Sequence, residues 1–347
     1  MATTRKKQAQ PASGYQQFLS DLKGHNYSNL NIFFGEEKYL LYWCRNNLKK
    51  QLVEGLAADF NYHRFDADTF TIATFQDAVE APPMMSDKTL VELCDINLFD
   101  PTYDKNQLSD IFADIPDYCC ILVLFDTIEW KPDKRQKKLW SAISDHGTIY
   151  EFTEQSEPDL IKWIQKRCRL DNIEITKEAA SHLIQRAGSS MQNLASETEK
   201  LISYTQTGCI TETDIDDAVI PILSSAIYMI TDALSRGDFN RAIVTLQNVL
   251  AQDIEPVRIS ASISSQMRQL YVAKLLAENG KGSYDLAKLY GIYERRANNV
   301  YSQARAFKRA QLQQAVRLCT DTDMQLKSFN GDDEAILKDL MIALAEL

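Results

Sequence analysis

No stretch of this sequence approaches the roughly 18 consecutive apolar residues of a membrane span, so a membrane protein is not expected. Positive charge is short as well: 38 lysines and arginines face 48 acidic residues, for a formal net charge of -10. A chain that bound nucleic acid by itself would carry a basic footprint over the whole domain, so that role is not expected of it alone. Histidine is scarce, with only His25, His63, His146 and His182. None stands at ligand spacing from a cysteine, and Cys44, Cys94, Cys119, Cys120, Cys168, Cys209 and Cys319 contain no C-x-x-C pair, so no zinc site is expected. Gly-x-Ser-x-Gly is absent, and so is a Cys–His pairing that would suggest an activated nucleophile. These gaps remove the residues on which a hydrolase or a metalloenzyme would stand, and no cofactor is expected.

A length of 347 residues implies two or three domains of about 150 residues each. The 45% hydrophobic and 25% charged residues are ordinary for a soluble globular protein. Most of the cysteines lie in apolar runs, which reads as buried thiols in a reducing cytoplasm. Residues 1–13 are polar, with a basic cluster of Arg5, Lys6 and Lys7, and no apolar segment follows. They read as a tail and not as a secretion signal.

From residue 30 the apolar pattern switches between period two and the helical period. Strands are predicted over 30–34, 60–65, 89–94, 119–125 and 148–152, with helices over 71–80, 104–113 and 132–143 among those between them. The 119–125 run is apolar throughout, as a central strand covered on both faces would be. Strands alternating with helices imply a mostly parallel sheet flanked by helices. Past 153 the pattern is helical only. Four helices over 157–169, 176–188, 189–204 and 211–219 form a small module, and the segments from 223 onward, punctuated by Gly237, Gly280, Gly282, Gly291 and Gly331, read as an α bundle.

The first strand ends in glycine and runs into a helix, which is where a phosphate-binding loop would lie. That loop needs glycines to let backbone N–H groups wrap the phosphates, then a lysine and a hydroxyl. Here the turn reads Gly35-Glu36-Glu37-Lys38-Tyr39, whose two acids suit a helix N-terminus and repel a triphosphate. Asp95, Asp126 and Thr127 follow strand ends and are candidates by location alone. A divergent ATPase built on Lys38 and Asp95 is the enzyme alternative.

Lys131, Lys134, Arg135 and Lys138 recur at helical spacing beside Leu139, Trp140 and Ile143. They read either as a solvated helix face or as a contact for a phosphate backbone or an acidic partner. A hairpin over 285–307 with Arg295, Arg296, Arg305, Lys308 and Arg309 nearby is too common a form to imply DNA reading. The stretch from Ala81 to Leu93 is the most informative. Pro82 and Pro83 end a helix, Met84 and Met85 form a corner, and a buried strand begins at Thr89. The pair reads either as core folded under the sheet or as an exposed, adaptable apolar plug; from these residues alone, core is the commoner arrangement.

Four stretches in order resemble the delta-subunit family of the bacterial DNA polymerase III clamp loader. They are Phe-Gly-Glu-Glu-x-Tyr-Leu from Phe34, Phe-Asn-Tyr-x-Arg-Phe-Asp-Ala-Asp from Phe60, Pro-Pro-Met-Met-Ser-Asp-Lys-Thr-Leu-Val from Pro82, and Gly-Ser-Ser-Met-Gln-Asn-Leu-Ala-Ser-Glu-x-Glu-Lys-Leu from Gly188. The resemblance runs from about residue 30 to the C-terminus. It implies a tail and short helix over 1–28, an AAA+-like α/β domain with a parallel sheet and no working ATP site over 29–154, a helical lid over 155–221 and an all-α collar over 222–347. It also implies a cytoplasmic component of the DNA polymerase III holoenzyme without ATPase activity of its own. Such a chain would join gamma/tau and delta-prime subunits in a heteropentamer, bind the beta sliding clamp and open its ring for loading onto primed DNA. In the family a leucine–aromatic pair ahead of the strand enters a pocket of the clamp; the matching residues are Met84 and Met85, preceded by Pro83. Members that donate an arginine finger carry Ser-Arg-Cys, which this chain lacks. A non-catalytic adaptor that docks partners through the C-terminal bundle is the alternative.

Overall fold

The structure is a computed structural model that describes residues 14–53, 55, 58–205, 208–292, 294–328 and 331–347. The tail expected over 1–13 lies outside the described residues, as does the side chain of Arg295. The chain divides into two compact units, Met1–Asp159 and Leu160–Leu347.

The first unit runs α1 (Gly14–Gly24), β1 (Leu30–Gly35), α2 (Lys38–Leu52), α3 (Ala58–Asn61), β2 (Tyr62–Phe65), α4 (Ile72–Glu80), β3 (Thr89–Cys94), α5 (Lys105–Ala113), β4 (Cys119–Leu124), α6 (Lys137–His146) and β5 (Gly147–Phe152). All pairings in its five-stranded sheet are parallel, and the order is β2-β3-β4-β1-β5. β4 at the centre of the sheet and β3 beside it are buried at every position, which their near-continuous apolar sequence requires. Alternation sorts the side chains between two layers. Leu30, Ile32, Val91, Leu93, Ile121 and Val123 share one core with Phe75, Phe112 and Ile143 of α4, α5 and α6. On the opposite face Phe33 packs edge-on against Phe18 of α1, with ring centroids 5.2 Å apart, and Glu92 meets Arg45 of α2.

Several helix starts follow from short polar side chains that take over orphaned backbone N–H groups. Thr71 and Thr74 form a reciprocal capping box on α4, and the Asp104 carboxylate accepts from the N–H groups of Asn106 and Gln107 on α5. At the end of β1, Gly35 has φ +136, and a Cβ there would lie 2.1 Å from the Phe152 carbonyl oxygen. Close approach of β5 therefore accounts for this glycine.

Two predicted elements change. The strand expected over 60–65 begins only at Tyr62, because α3 takes up the residues before it. The helix expected over 132–143 begins at Lys137, so Lys131, Lys134 and Arg135 do not share a helical face with Lys138. A turn intervenes: the Gln136 N–H donates to the Asp133 carbonyl, and the Asp133 carboxylate accepts from the Arg135 N–H at 3.1 Å. An Asp that captures the amide two residues on competes with helix for the backbone.

The boundary falls inside α7 (Glu157–Leu170), after which the second unit runs β6 (Glu174–Ile175), α8 (Lys177–Ala187), α9 (Met191–Tyr204), β7 (Cys209–Ile210), α10 (Glu212–Ala218), α11 (Leu223–Ser235), α12 (Phe239–Leu250), α13 (Pro256–Glu278), α14 (Ser283–Tyr290), α15 (Glu294–Ala304), α16 (Arg309–Ser328) and α17 (Asp333–Ala345). Its described residues are helical as expected, apart from one short parallel ladder between β6 and β7. From α11 onward the helices share a core. Its spine is α13, on which Ile259, Ile263, Met267 and Leu270 recur at helical spacing and which starts with Pro256, where the missing N–H costs nothing. No single described helix is long and apolar enough to cross a membrane.

Candidate functional site

Between α4 and β3 the chain turns a bare corner. Met84 is 56% exposed and Met85 97% exposed, so the core reading of this pair is overturned. Pro83 is half-buried and Pro82 exposed. Two fixed φ angles lead the chain into Met84, and Met85 follows with φ +55, a left-handed conformation that costs energy in a residue with a Cβ. The turn is gripped from β2's side of the sheet. Asn61, 1% exposed, accepts from the Met84 N–H through Oδ1 at 2.7 Å and donates through Nδ2 to the Met84 carbonyl at 2.7 Å. Beyond the corner the Lys88 ammonium donates to the Asp117 carbonyl. Phe60, the residue before Asn61, is 59% exposed and adds a third large apolar side chain to this end of the unit.

Tyr62, the neighbour of Asn61 on β2, anchors that end of the strand. Its hydroxyl donates to Glu92 Oε2 at 3.1 Å, and Glu92 is fully buried. Arg45 of α2 closes a two-pronged pair on the same carboxylate, Nε to Oε2 at 2.8 Å and Nη2 to Oε1 at 2.9 Å, while the Cys94 thiol lies 3.1 Å from Oε1. Burial and then Glu92 push the Tyr62 hydroxyl and the Cys94 thiol each up to about 12, so both stay protonated donors.

The opposite end of the sheet, where a nucleotide phosphate would sit, is filled by its own side chains. The Glu37 carboxylate turns back to accept from the Tyr39 N–H at 3.2 Å and caps α2. Lys38 donates to the carbonyls of Phe125 and Asp126, and the Tyr42 hydroxyl donates to the Asp126 carboxylate. That bond, followed by burial, raises the Tyr42 pKa to about 12. Asp95, just past β3 with φ +52, accepts from the N–H groups of Asp126, Thr127 and Ile128 and from the Thr127 hydroxyl. Burial pushes its pKa up, but these donors together hold it below the ordinary value. Asp95, Asp126, Thr127 and Lys38 thus tie the ends of β3 and β4 to each other and to α2. Among the described residues no group of three or more His, Cys, Asp and Glu is placed to hold a metal ion.

The basic candidates each have a neighbour. Lys131 pairs with Glu129 at 2.7 Å, Arg135 with Asp133 at 2.9 Å, and Lys138 with Asp110 at 2.7 Å, while Lys134 lies 5.2 Å from the centroid of the Trp140 ring. Exposed pairs of this kind are worth about 0–1 kcal/mol and yield to a competing anion. Sequence reasoning located the methionine corner but missed Asn61, Phe60 and the Glu92 cluster. The Phe-Asn-Tyr-x-Arg run from Phe60 contained the signal, in alternating polar residues at the foot of an edge strand.

A parallel sheet in the order β2-β3-β4-β1-β5, covered by helices on both faces and followed by helical segments, makes the first unit a doubly wound α/β domain whose phosphate corner is closed by Glu37, Lys38 and Tyr42. Two family models match the sequence: "DNA polymerase III, delta subunit" over residues 31–153, and "DNA polymerase III delta subunit, C-terminal domain" over 224–344. The chain belongs to the DNA polymerase III delta subunit family. It is 23% identical over 320 residues to the DNA polymerase III subunit delta of Bacillus subtilis, covering 90% of this chain and 91% of that one. To a probable DNA polymerase III subunit delta of Aquifex aeolicus it is 20% identical over 259 residues, 72% of each chain. The solved Bacillus subtilis DNA clamp loader delta protein has the same fold, with a TM-score of 0.67 at 21% identity, over 96% of this chain and 100% of that one.

Proposed function

We propose that this chain, as the delta subunit of a bacterial clamp loader, docks on the beta sliding clamp through Met84 and Met85 and opens the ring for loading onto primed DNA. The observation that carries this reading is a pair of large apolar side chains held out from the domain on a turn that the fold spends two prolines and a buried amide to fix. Covering what they expose yields about 2–4 kcal/mol gross, before the cost of association. That anchors the chain. Opening the ring requires tighter binding to the open clamp than to the closed one, since a ligand shifts an equilibrium only by its differential affinity.

Within this reading residues 29–154 contact the clamp, 155–221 form the lid and 222–347 the collar that joins gamma/tau and delta-prime subunits in the cytoplasm. An apolar hollow between α11, α12 and α17, lined by Leu234, Ala242, Ile243 and Met341 with Phe239 and Ile342 on its exposed rim, supports partner docking by the collar. It is also what favours the adaptor alternative. Lys131, Lys134, Arg135 and Lys138 are the candidates for DNA or partner contact in the assembly.

Calorimetry with the cognate clamp tests the docking surface. Met84→Ala with Met85→Ala is expected to weaken binding by about 2 kcal/mol or more with the fold intact. Equal affinity in the double variant overturns the docking surface, and an adaptor working through the bundle predicts that equality.

A further inference from the structure

We infer that Asn61 is a positioning residue for docking: it fixes the backbone pose in which Met84 and Met85 meet their partner. The inference rests on the docking reading above and adds to it a residue that touches no partner. Three observations carry it. The Asn61 amide makes both of its 2.7 Å bonds to one residue, accepting from the Met84 N–H and donating to the Met84 carbonyl, the pattern a neighbouring strand would offer a peptide group. The residue that makes this pair is 1% exposed, while the residue it holds is mostly exposed. A buried primary amide is expensive unless fully bonded, so its placement beneath a bare turn points to the turn as what is being held.

The next residue supplies the third observation. Met85 has φ +55, and a methionine stays in that region only where its surroundings over-determine the backbone. Pro82 and Pro83 restrict the chain on one side, and the reciprocal pair on Met84 restricts it at the step before the strained residue. The grip itself does not drift, because Tyr62 is bonded to the buried Glu92 that also holds Arg45. Without Asn61 the Met84 amide and carbonyl turn to water, the corner samples several backbone states, and the partner must select one of them. Ordering a loose recognition segment on binding weakens affinity without removing any contact.

The test pairs amide hydrogen exchange on the free chain with calorimetry against the beta clamp. In the unaltered chain the Met84 amide is expected to exchange about a hundredfold more slowly than in an unstructured peptide, despite lying in an exposed turn. Exchange at the free-peptide rate overturns the inference without the need for any variant. Asn61→Ala is expected to release that amide, to leave the β3 amides protected, and to weaken clamp binding about tenfold. In a Met84→Ala/Met85→Ala background, Asn61→Ala is expected to cause no further loss, because there is no pair left to present. An equal loss in both backgrounds assigns Asn61 to the fold alone and overturns the inference, and so does an Asn61→Ala variant that binds like the unaltered chain. If the unaltered chain does not bind the clamp, the docking reading falls and takes this inference with it. Binding by the unaltered chain with no effect at Asn61 sinks this inference only.

Discussion

Glu92 is a fully buried carboxylate, and its environment explains how it is tolerated. Burial of an unpaired charge costs several kcal/mol, and the Arg45 fork, the Tyr62 hydroxyl and the Cys94 thiol together offset that cost. Arg45→Ala, which leaves the charge behind, is therefore expected to destabilise the first unit by about 3 kcal/mol in urea unfolding. Arg45→Met with Glu92→Met is expected to restore most of it. Asp95 gives the acid-side counterpart. Its folded-state pKa lies below the ordinary value, so the folded chain keeps the charge at pH values where the unfolded chain has already taken up a proton. The stabilisation is complete above the ordinary carboxylate range and drains as pH falls through the folded-state value. The stability gap between the unaltered chain and Asp95→Asn, measured by urea titration, is expected to be constant near neutrality and to close below about pH 4. Neither role was legible in sequence. Asp95 was marked by its place after a strand, but its partners lie 31 to 33 residues on. Glu92 looked like one polar letter in an apolar strand, and spacing says nothing of an arginine 47 residues earlier.

At the scale of elements, what could be read was whatever local chemistry decides. The helices expected from 71, 104, 176 and 189 begin beside Thr71, Asp104, Thr176 and Ser190, whose side chains cap them in the structure. The helix expected from 132 failed because a local bond from Asp133 beats helix propensity over a few residues, which spacing alone does not reveal. The methionine corner sat between these cases. Its prolines and the strand after it were plain, but the side to which the pair turned depended on Asn61, from a segment 23 residues away. Helix α1 shows the same dependence on distant partners. It reads as a short amphipathic helix over 14–22, and the partners of its apolar face come from far along the chain: Phe18 is fully buried in edge-on contact with Phe33 and Tyr150, and the Tyr150 hydroxyl donates to Asp21 at 2.9 Å. Phe18→Ala is expected to cost about 3–5 kcal/mol, read as a lowered urea midpoint with an unchanged slope.

For the whole molecule, the proposed role and the phosphate corner occupied by Glu37, Lys38 and Tyr42 together predict a chain that does not take up ATP itself. The purified chain is expected to show no heat of ATP binding in calorimetry, with or without magnesium; an affinity in the micromolar range would favour the alternative ATPase built on Lys38 and Asp95. The order of the sheet has a consequence of another kind, in the timing of synthesis. Among the described residues β1 pairs with β4 and β5 alone, Leu30 lying opposite Ile121 and Gly147, so the first strand of the sheet to be made waits for the last two. At the usual pace of bacterial translation that wait is on the order of ten seconds. Throughout it, Phe33 lacks its β4 and β5 neighbours and Phe18 lacks Tyr150, so the segment that carries these two rings is expected to stay exposed until β5 has been made.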